Sequence, residues 1–493
     1  MTLKYLTSIP STPIQLIIPL LQSDQLADQL KEIATESGQD AKLLQSDFNA
    51  NAGSIHCIYP AEHKGSRWLL LGLGDHPSEA VVTNAFRGLS FRHSKILSGQ
   101  IGISDRYLDA DKISVDALAT TSVNGLLLGT HYIGTFKSKK SDAHPLKKKS
   151  TRLAFISSEA KKYASGARKG QAMAETQMRI MELVDGPGNK VKPETLAKWA
   201  VQSGKDHDFK VRVLNKSQIQ KTGLEALLAV NRGSEYPPYF IIMEYKPKGR
   251  KKYPKVGLVG KGVTFDTGGL SIKGSVNMHY MKSDMGGAAA VLGTMELTAK
   301  LKLPVHLIGI VPTTDNCVDA NAVKPGDIIG SYDGQTIEVI DTDAEGRLIL
   351  ADGLAYMNKH YKPDIMIDLA TLTGNCVRAL GYEAGGLFTN NDELADLMLA
   401  AGQRTGERLW RLPIWKEYRK ELESEVADVR NLSIRPVAGA ITAAKFLEVF
   451  IGEHPRWAHL DIAGVAFGSH PYTKQKSATS FGVKLLVDLL NHL

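Results

Sequence analysis

The 493-residue sequence predicts an α/β protein of two domains, each a mostly parallel or mixed sheet flanked by helices, with its reactive site in the C-terminal domain. Three observations lead there. The length exceeds what one hydrophobic core ordinarily serves. Along the second half, strand-like apolar runs alternate with helix-like segments, the pattern of a sheet covered by helices. A run of good helix formers at residues 164–184 ends in the turn cluster Asp185-Gly186-Pro187-Gly188-Asn189, which marks a boundary. The expected division is an N-terminal α/β domain at residues 1–165, a linker helix at 166–185 and a second domain at 186–493.

In the first domain, residues 13–20, 68–72 and 151–156 read as strands and 24–37 as a helix. The lysine-rich residues 137–149 read as an exposed loop. In the second domain, residues 209–214, 239–245, 255–260, 305–311, 336–340, 363–369 and 457–462 read as strands. Residues 193–201, 288–300 and 348–360 read as helices. Ligands of such sheets bind where strands give way to loops.

Composition excludes several classes. A hydrophobic share of 43% and a charged share of 23% fit a globular protein, not a disordered or fibrous one. The longest apolar runs, such as residues 14–21, are too short and Pro-interrupted to span a bilayer. The first fifteen residues lack the basic and apolar regions of a signal peptide, so a cytoplasmic location is expected. Three scattered cysteines, Cys57, Cys317 and Cys376, form neither a disulfide framework nor a thiolate metal site. The net charge of +8 gathers in two runs, residues 137–152 and 246–255. Such runs read first as solvated loops and second as a nucleic-acid footprint; the scarcity of interleaved aromatics weighs against the second.

Two segments carry the chemistry. The first, GKGVTFDTGGLSIKGSVNMHYMKSDMGG from Gly260, holds Lys261, Asp266, Lys273 and Asp284 among many glycines. The second, Asp341-Thr342-Asp343-Ala344-Glu345-Gly346-Arg347, lies between a strand and a helix. Asp266, Asp284, Asp343 and Glu345 are thus four carboxylates on loops at the expected edge of one sheet. Gathered without counter-charge they repel, and burying them is costly. Divalent cations remove that cost, and two cations about 3.5–4 Å apart need bridging carboxylates. Oxygen ligands suit magnesium, manganese or zinc. Taken singly, a DxE pair is ordinarily a cap or a surface pair, and a lysine near a carboxylate an ordinary ion pair. The Gly-rich turn lacks the spacing of a phosphate loop.

The segment DTDAEGRL resembles NTDAEGRL, the signature of the leucyl (cytosol) aminopeptidase family. The Gly-rich segment resembles that family's GKGxTFDSGGxSxK and DMGGAAAV blocks, and further likeness follows at residues 368–374, 440–444 and 457–464. The resemblance runs from about Glu182 to the C-terminus. It implies a two-metal aminopeptidase in which Lys261, Asp266, Asp284 and Glu345 hold one cation (manganese or zinc) and Asp266, Asp343 and Glu345 the other. It implies a water between the cations as nucleophile, Lys273 as electrophile, and a bicarbonate ion at Arg347 as proton shuttle. Met281, Thr371, Leu372 and Gly374 would line the pocket for the first side chain. A homohexamer acting on peptides, with leucine or other apolar first residues, is implied as well. Nucleic-acid binding on the same scaffold is the alternative. Four positions depart from the pattern: Asp341 for asparagine, Thr267 for serine, Ala438 for a common glycine, and a looser turn at residues 185–189.

Overall fold

The computed structural model describes residues 1–139, 142–249, 252–433 and 435–493. The chain divides into two compact units, Met1–Met178 and Arg179–Leu493, and the division falls inside the helix Ala164–Asp185.

The first unit holds strands β1 (Thr2–Leu6), β2 (Gln15–Leu20), β3 (Ile55–Ile58), β4 (Arg67–Gly72), β5 (Gln100–Ser104) and β6 (Arg152–Ile156). Its helices are α1 (Leu26–Ser37), α2 (Ala41–Asp47), α3 (Glu79–Arg92), α4 (Val115–Leu128) and the first part of α5 (Ala164–Asp185). The sheet order is β1-β6-β5-β2-β4-β3, parallel throughout except for β3 against β4. Every residue of β2 is buried, as a central strand covered on both faces requires. Ser78 and Ser114 cap α3 and α4 through backbone N–H groups of Val81 and Ala117. Of the basic runs, Lys140, Ser141, Arg250 and Lys251 lie outside the described residues; Lys137, Lys139, Lys147, Lys148 and Lys149 are exposed, as a solvated loop requires.

The second unit holds β7 (Lys210–Leu214), β8 (Tyr239–Tyr245), β9 (Lys255–Gly260), β10 (Gly262–Asp266), β11 (His306–Asn316), β12 (Ile328–Gly330), β13 (Thr336–Glu338), β14 (Ile365–Ala370), β15 (Gly385–Thr389), β16 (Leu409–Arg411), β17 (Val429–Arg430) and β18 (Trp457–Asp461). Its helices after α5 are α6 (Pro193–His207), α7 (Lys216–Thr222), α8 (Glu225–Asn231), α9 (Gly286–Leu301), α10 (Glu345–Tyr361), α11 (Gly374–Leu380), α12 (Asp392–Thr405), α13 (Gly439–Glu448) and α14 (Val483–Asn491). The main sheet runs β16-β15-β18-β14-β9-β11-β8-β7, with β10 also on β11. Strands β18, β14, β9 and β11 are mutually parallel, so their C-terminal ends share one edge. The flanks are mixed: β8 is antiparallel to β11, β7 to β8, and β15 to β18.

Two strand expectations are corrected. Strand β11 does not stop at Val311 but continues through Pro-Thr-Thr-Asp to Asn316. Those polar residues are buried because their groups are satisfied across the sheet; Thr313 Oγ1, for example, donates to the Gly262 carbonyl at 2.7 Å. The expected strand 336–340 ends at Glu338 and belongs to a separate three-stranded sheet, β12-β13-β17. The carboxylates that follow it therefore reach the site from a second sheet, not from the same sheet edge as Asp266 and Asp284. Helices α9 and α10 both pack on β9 and β11, α9 alongside α6 and α14, α10 alongside α8 and α13. Both are buried over nearly their whole length, which explains their apolar, small-residue sequences.

Candidate metal centre

The shared edge collects the functional side chains. Lys261 follows β9, Asp266 ends β10, Asn316 ends β11, Thr371 follows β14 and Asp461 ends β18. A register shift between Val263 and Asp266 breaks the β10 ladder just before Asp266. The Asp266 carboxylate Oδ1 then accepts from Gly268 N at 2.8 Å and from Asn316 Nδ2 at 2.9 Å. Gly268 has φ of 88°, and a Cβ there would lie 2.9 Å from Asp343 Oδ1, so the loop needs glycine on two counts. Gly346 is needed for another reason: its Cβ would lie 2.6 Å from Lys261 Nζ.

Four carboxylates converge on two lysines. Lys261 Nζ lies 2.7 Å from Asp284 Oδ2 and 2.8 Å from Glu345 Oε1, and donates to the Thr371 carbonyl at 3.0 Å. Lys273 Nζ lies 2.8 Å from Asp266 Oδ2 and also pairs with Asp343 Oδ1. Oxygen atoms of Asp266, Asp343 and Glu345 all lie within 4.8 Å of one another. Asp284 receives Thr371 Oγ1 at 2.8 Å on its other oxygen. Four carboxylates against two ammonium groups leave two negative charges in a mostly buried place.

The electrostatics follow. Burial and repulsion from Asp266 push the Asp343 carboxyl up to about 7, against the pull of Lys273. Burial raises Glu345 and Asp284 too, with Lys261 opposing in both cases. For Lys261, burial favours the neutral amine, but Asp284, Glu345 and Asp266 outweigh it and hold the ammonium well above its ordinary range. Lys273 shifts the same way, with Asp266 the main opponent of burial.

These residues fit divalent cations. Asp284 Oδ2, Asp343 Oδ1 and Glu345 Oε1 are buried and accept no hydrogen bond of ordinary geometry; they meet only lysine ammonium groups. Hard oxygen donors with excess negative charge are the ligands manganese, magnesium and zinc take. Two surface clefts of about 490 and 800 Å³ lie around Glu453, His454 and Pro455, at the N-terminal ends of β14 and β18, without a carboxylate cluster.

Residues 179–487 match the profile described as the cytosol aminopeptidase family, catalytic domain. The chain belongs to the cytosol aminopeptidase family. A probable cytosol aminopeptidase of Chloroherpeton thalassium is 44% identical over 493 residues, covering 96% of each chain. One of Chlorobium phaeobacteroides is 46% identical over 479 residues, covering 95% of each. Among solved structures, the cytosol aminopeptidase of Coxiella burnetii has a TM-score of 0.82 at 32% identity and covers 99% of both chains. The bottromycin maturation enzyme BotP in complex with Mn has a TM-score of 0.84 at 30% identity, covering 98% of this chain and 99% of its own. This family member is therefore a metal-dependent peptide hydrolase and its two-domain α/β architecture is the one seen in its solved relatives. No described helix is long and apolar enough to cross a membrane.

The remaining expected residues fall around this centre. Arg347, in the first turn of α10, is buried and donates from Nη1 to the Asn431 carbonyl at 2.6 Å, while its Nε has no partner. Burial brings its guanidinium down to about 10, against attraction from Glu345 and Asp341. Thr371 holds Asp284 with its hydroxyl and Lys261 with its carbonyl. Leu372 N donates to Asp461 Oδ1 at 3.2 Å. Gly374 opens α11, and a Cβ there would meet open space. Met281 lies partly buried in the short turn Met278–Ser283 that leads into Asp284.

The departures from the family pattern are accommodated. Asp341 Oδ1 accepts from Asp343 N at 2.8 Å, a contact that an asparagine carbonyl makes equally well. Thr267 Oγ1 donates to the Asn316 carbonyl at 2.9 Å, as a serine hydroxyl would. Ala438 sits at φ of 53°, the left-handed region, where glycine carries less strain. Sequence reading missed Asn316, Asn431 and Asp461. None lies within the two acidic segments, and each acts by hydrogen bonds to residues distant in the chain.

Proposed function

We propose that this family member removes the N-terminal residue, leucine or another apolar one, from peptides in the cytoplasm by a two-metal mechanism. The convergence of Asp266, Asp284, Asp343 and Glu345 with Lys261 and Lys273, at one partly buried point, carries this reading. Lys261, Asp266, Asp284 and Glu345 would hold one cation and Asp266, Asp343 and Glu345 the second, so that Asp266 and Glu345 are shared. Such cations, when bound, polarise a carbonyl and acidify a water held between them. Manganese is the first candidate, given the Mn complex of the similar BotP structure, and zinc the second.

The chain's own groups do the rest. Lys261 must give up its ammonium proton to become a ligand, so it supplies counter-charge without cations and a donor nitrogen with them. Lys273, freed from Asp266 and Asp343, would donate to the scissile carbonyl oxygen as charge grows there. Arg347, buried with a free Nε, would hold a bicarbonate ion that moves a proton to the leaving amine. Thr371, Leu372, Gly374 and Met281 would shape the pocket for the first side chain. A homohexamer belongs to the same reading. Nothing among the described residues favours nucleic-acid binding.

The experiment is a paired hydrolysis assay. Leucyl peptides with a free amine should be cut from the N-terminus one residue at a time. Their N-acetylated counterparts should be inert, because the free amine is a cation ligand. Equal cleavage of both would overturn the reading.

A further inference from the structure

The loop that carries Asp343, Glu345 and Arg347 leaves its sheet after Val339, whose N–H and carbonyl still pair with Asp327 and Gly326, the residues before β12. The neighbouring strand β17 pairs in parallel with β13, Ile337 opposite Val429 and Glu338 opposite Arg430. The next residue, Asn431, continues the ladder once more with its own N–H, which donates to the Glu338 carbonyl at 2.9 Å. From there its side chain takes over. Oδ1 accepts from Ile340 N at 2.8 Å and from Asp341 N at 3.3 Å. Nδ2 donates to the Asp341 carbonyl at 2.7 Å and the Ala344 carbonyl at 3.5 Å. The Asn431 carbonyl accepts Arg347 Nη1 at 2.6 Å. The residue is 0% exposed. A side-chain amide has the donors and acceptors of a peptide group, so Asn431 acts as a surrogate strand for Ile340, Asp341 and Ala344.

We infer that Asn431 is a positioning residue of this centre: it holds the turn at Ile340, Asp341 and Ala344, while Asn316, Ser271 and Gly268 hold only Thr342, and it thereby sets the affinity of the cation site that Asp343 and Glu345 share with Asp266. The inference rests on the two-metal reading above. Asn431 touches no cation ligand's carboxylate; it acts on the backbone on either side of Asp343 and on the residue before Glu345. The same residue reaches the carboxylate turn through its side chain and Arg347 through its main-chain carbonyl. Residues behind the ligands commonly tune metal affinity about 10–100-fold. Aspartate at 431 keeps an acceptor for Ile340 N but loses both donors, and adds a carboxylate facing two carbonyls.

The test uses the full chain stripped of metal, with Mn²⁺ alone as the probe. Calorimetric titration gives affinity and number of ions per chain for wild type, Asn431→Ala and Asn431→Asp. Far-UV circular dichroism and thermal unfolding report the fold. The expected result is a folded Asn431→Ala chain whose Mn²⁺ affinity falls about 10–100-fold, with Asn431→Asp weakened as well. Excess Mn²⁺ should restore much of the turnover in Asn431→Ala, measured at a temperature where the metal-free variant is folded, so that stabilisation by the ion is not the cause. Affinity within twofold of wild type in a folded variant would overturn the inference. So would failure of both variants to fold, which would make Asn431 a structural residue only. If wild type itself binds no Mn²⁺, the two-metal reading fails first.

Discussion

The two halves of the chain share an architecture and differ in what they bury. Each is a largely parallel sheet covered by helices. Among the described residues of the first unit, the buried polar side chains are serine, threonine, asparagine and glutamine, with no buried acid, base or histidine. The second unit buries Lys261, Asp266, Asp284, Glu296, Glu345, Arg347, Asp352, Asp368, Glu407 and Asp461, among others. Buried charge is expensive. Some of it in the second unit is spent on structure: Glu296 binds Arg179, Ser203 and Lys300, and Glu407 accepts from Gly482 N and Leu485 N at the start of α14. The cluster around Lys261 differs because its own counter-charge is insufficient. A fold tolerates that deficit where something else is meant to bind. The fold is thus common to both halves, while the chemistry belongs to one.

The sharpest way to break this contrast is to remove one buried polar group from each half. Glu345→Ala is expected to lose metal and reduce peptidase activity to background together, because in the proposed two-metal reading the residue would be shared between both cation sites. Asn124→Ala, which removes a buried amide donating to Gln177 at 2.8 Å in the first unit, should cost about 1–3 kcal/mol of stability and leave turnover and metal content unchanged. Metal analysis, activity and thermal unfolding on both variants check the pair. Next in size is Lys273→Ala. It should keep its metals and lose about 10²–10³ in kcat, as removal of one oxyanion donor does. A near wild-type rate would mean that Lys273 serves only as counter-charge to Asp266 and Asp343.

A third effect is smaller and separates structural from functional burial by pH. Asp352 on α10 is fully buried, and burial pushes its carboxyl up to about 8 although Leu227 N and Tyr332 N both donate to it. An unfolded aspartate titrates near 3.9. The folded state therefore holds the proton more tightly, so this contribution to stability is complete below pH about 4 and lost as pH rises to about 8. Asp343, raised to about 7, adds to the same slope in metal-free protein. Unfolding curves between pH 5 and 8 should show a decline that Asp352→Asn reduces with or without metal. Metal loading should remove only the Asp343 share. A wild-type and Asp352→Asn difference independent of pH would contradict the assignment.

The smallest expected effect is at Asp341. Its carboxylate is already engaged with Asp343 N, so Asp341→Asn should move the Mn²⁺ and Zn²⁺ affinities by less than about tenfold each. A larger change, or a switch in their order, would show that a fifth carboxylate acts on the cations directly.

Much of this centre was legible in the sequence because its carboxylates and lysines sit in two short, dense segments. Lys261, Asp266, Asp284, Asp343 and Glu345 could be picked out before any fold was known, and strands such as Tyr239–Tyr245 and Lys255–Gly260 were readable from apolar runs. What escaped was whatever depends on distant pairing. The expected strand stopped short of the polar end of β11, whose partners, β10 and β8, are separate in sequence. The origin of Asp343 and Glu345 from a second sheet follows from β13 pairing with β17, about ninety residues on, and no local pattern encodes that. Asn431 and Asn316 escaped for the same reason: an isolated asparagine is a turn former by default, and only contact shows that it holds another segment.

The measurement that bears most directly on the central claim is activity against metal content in one titration. The full chain is dialysed against a chelator, its metal measured, and Mn²⁺ or Zn²⁺ returned stepwise while release of the first residue from a leucyl peptide is followed. The stripped chain should be inactive but folded, and activity should return with two ions bound per chain. Full activity in a chain shown to hold no metal would contradict that claim.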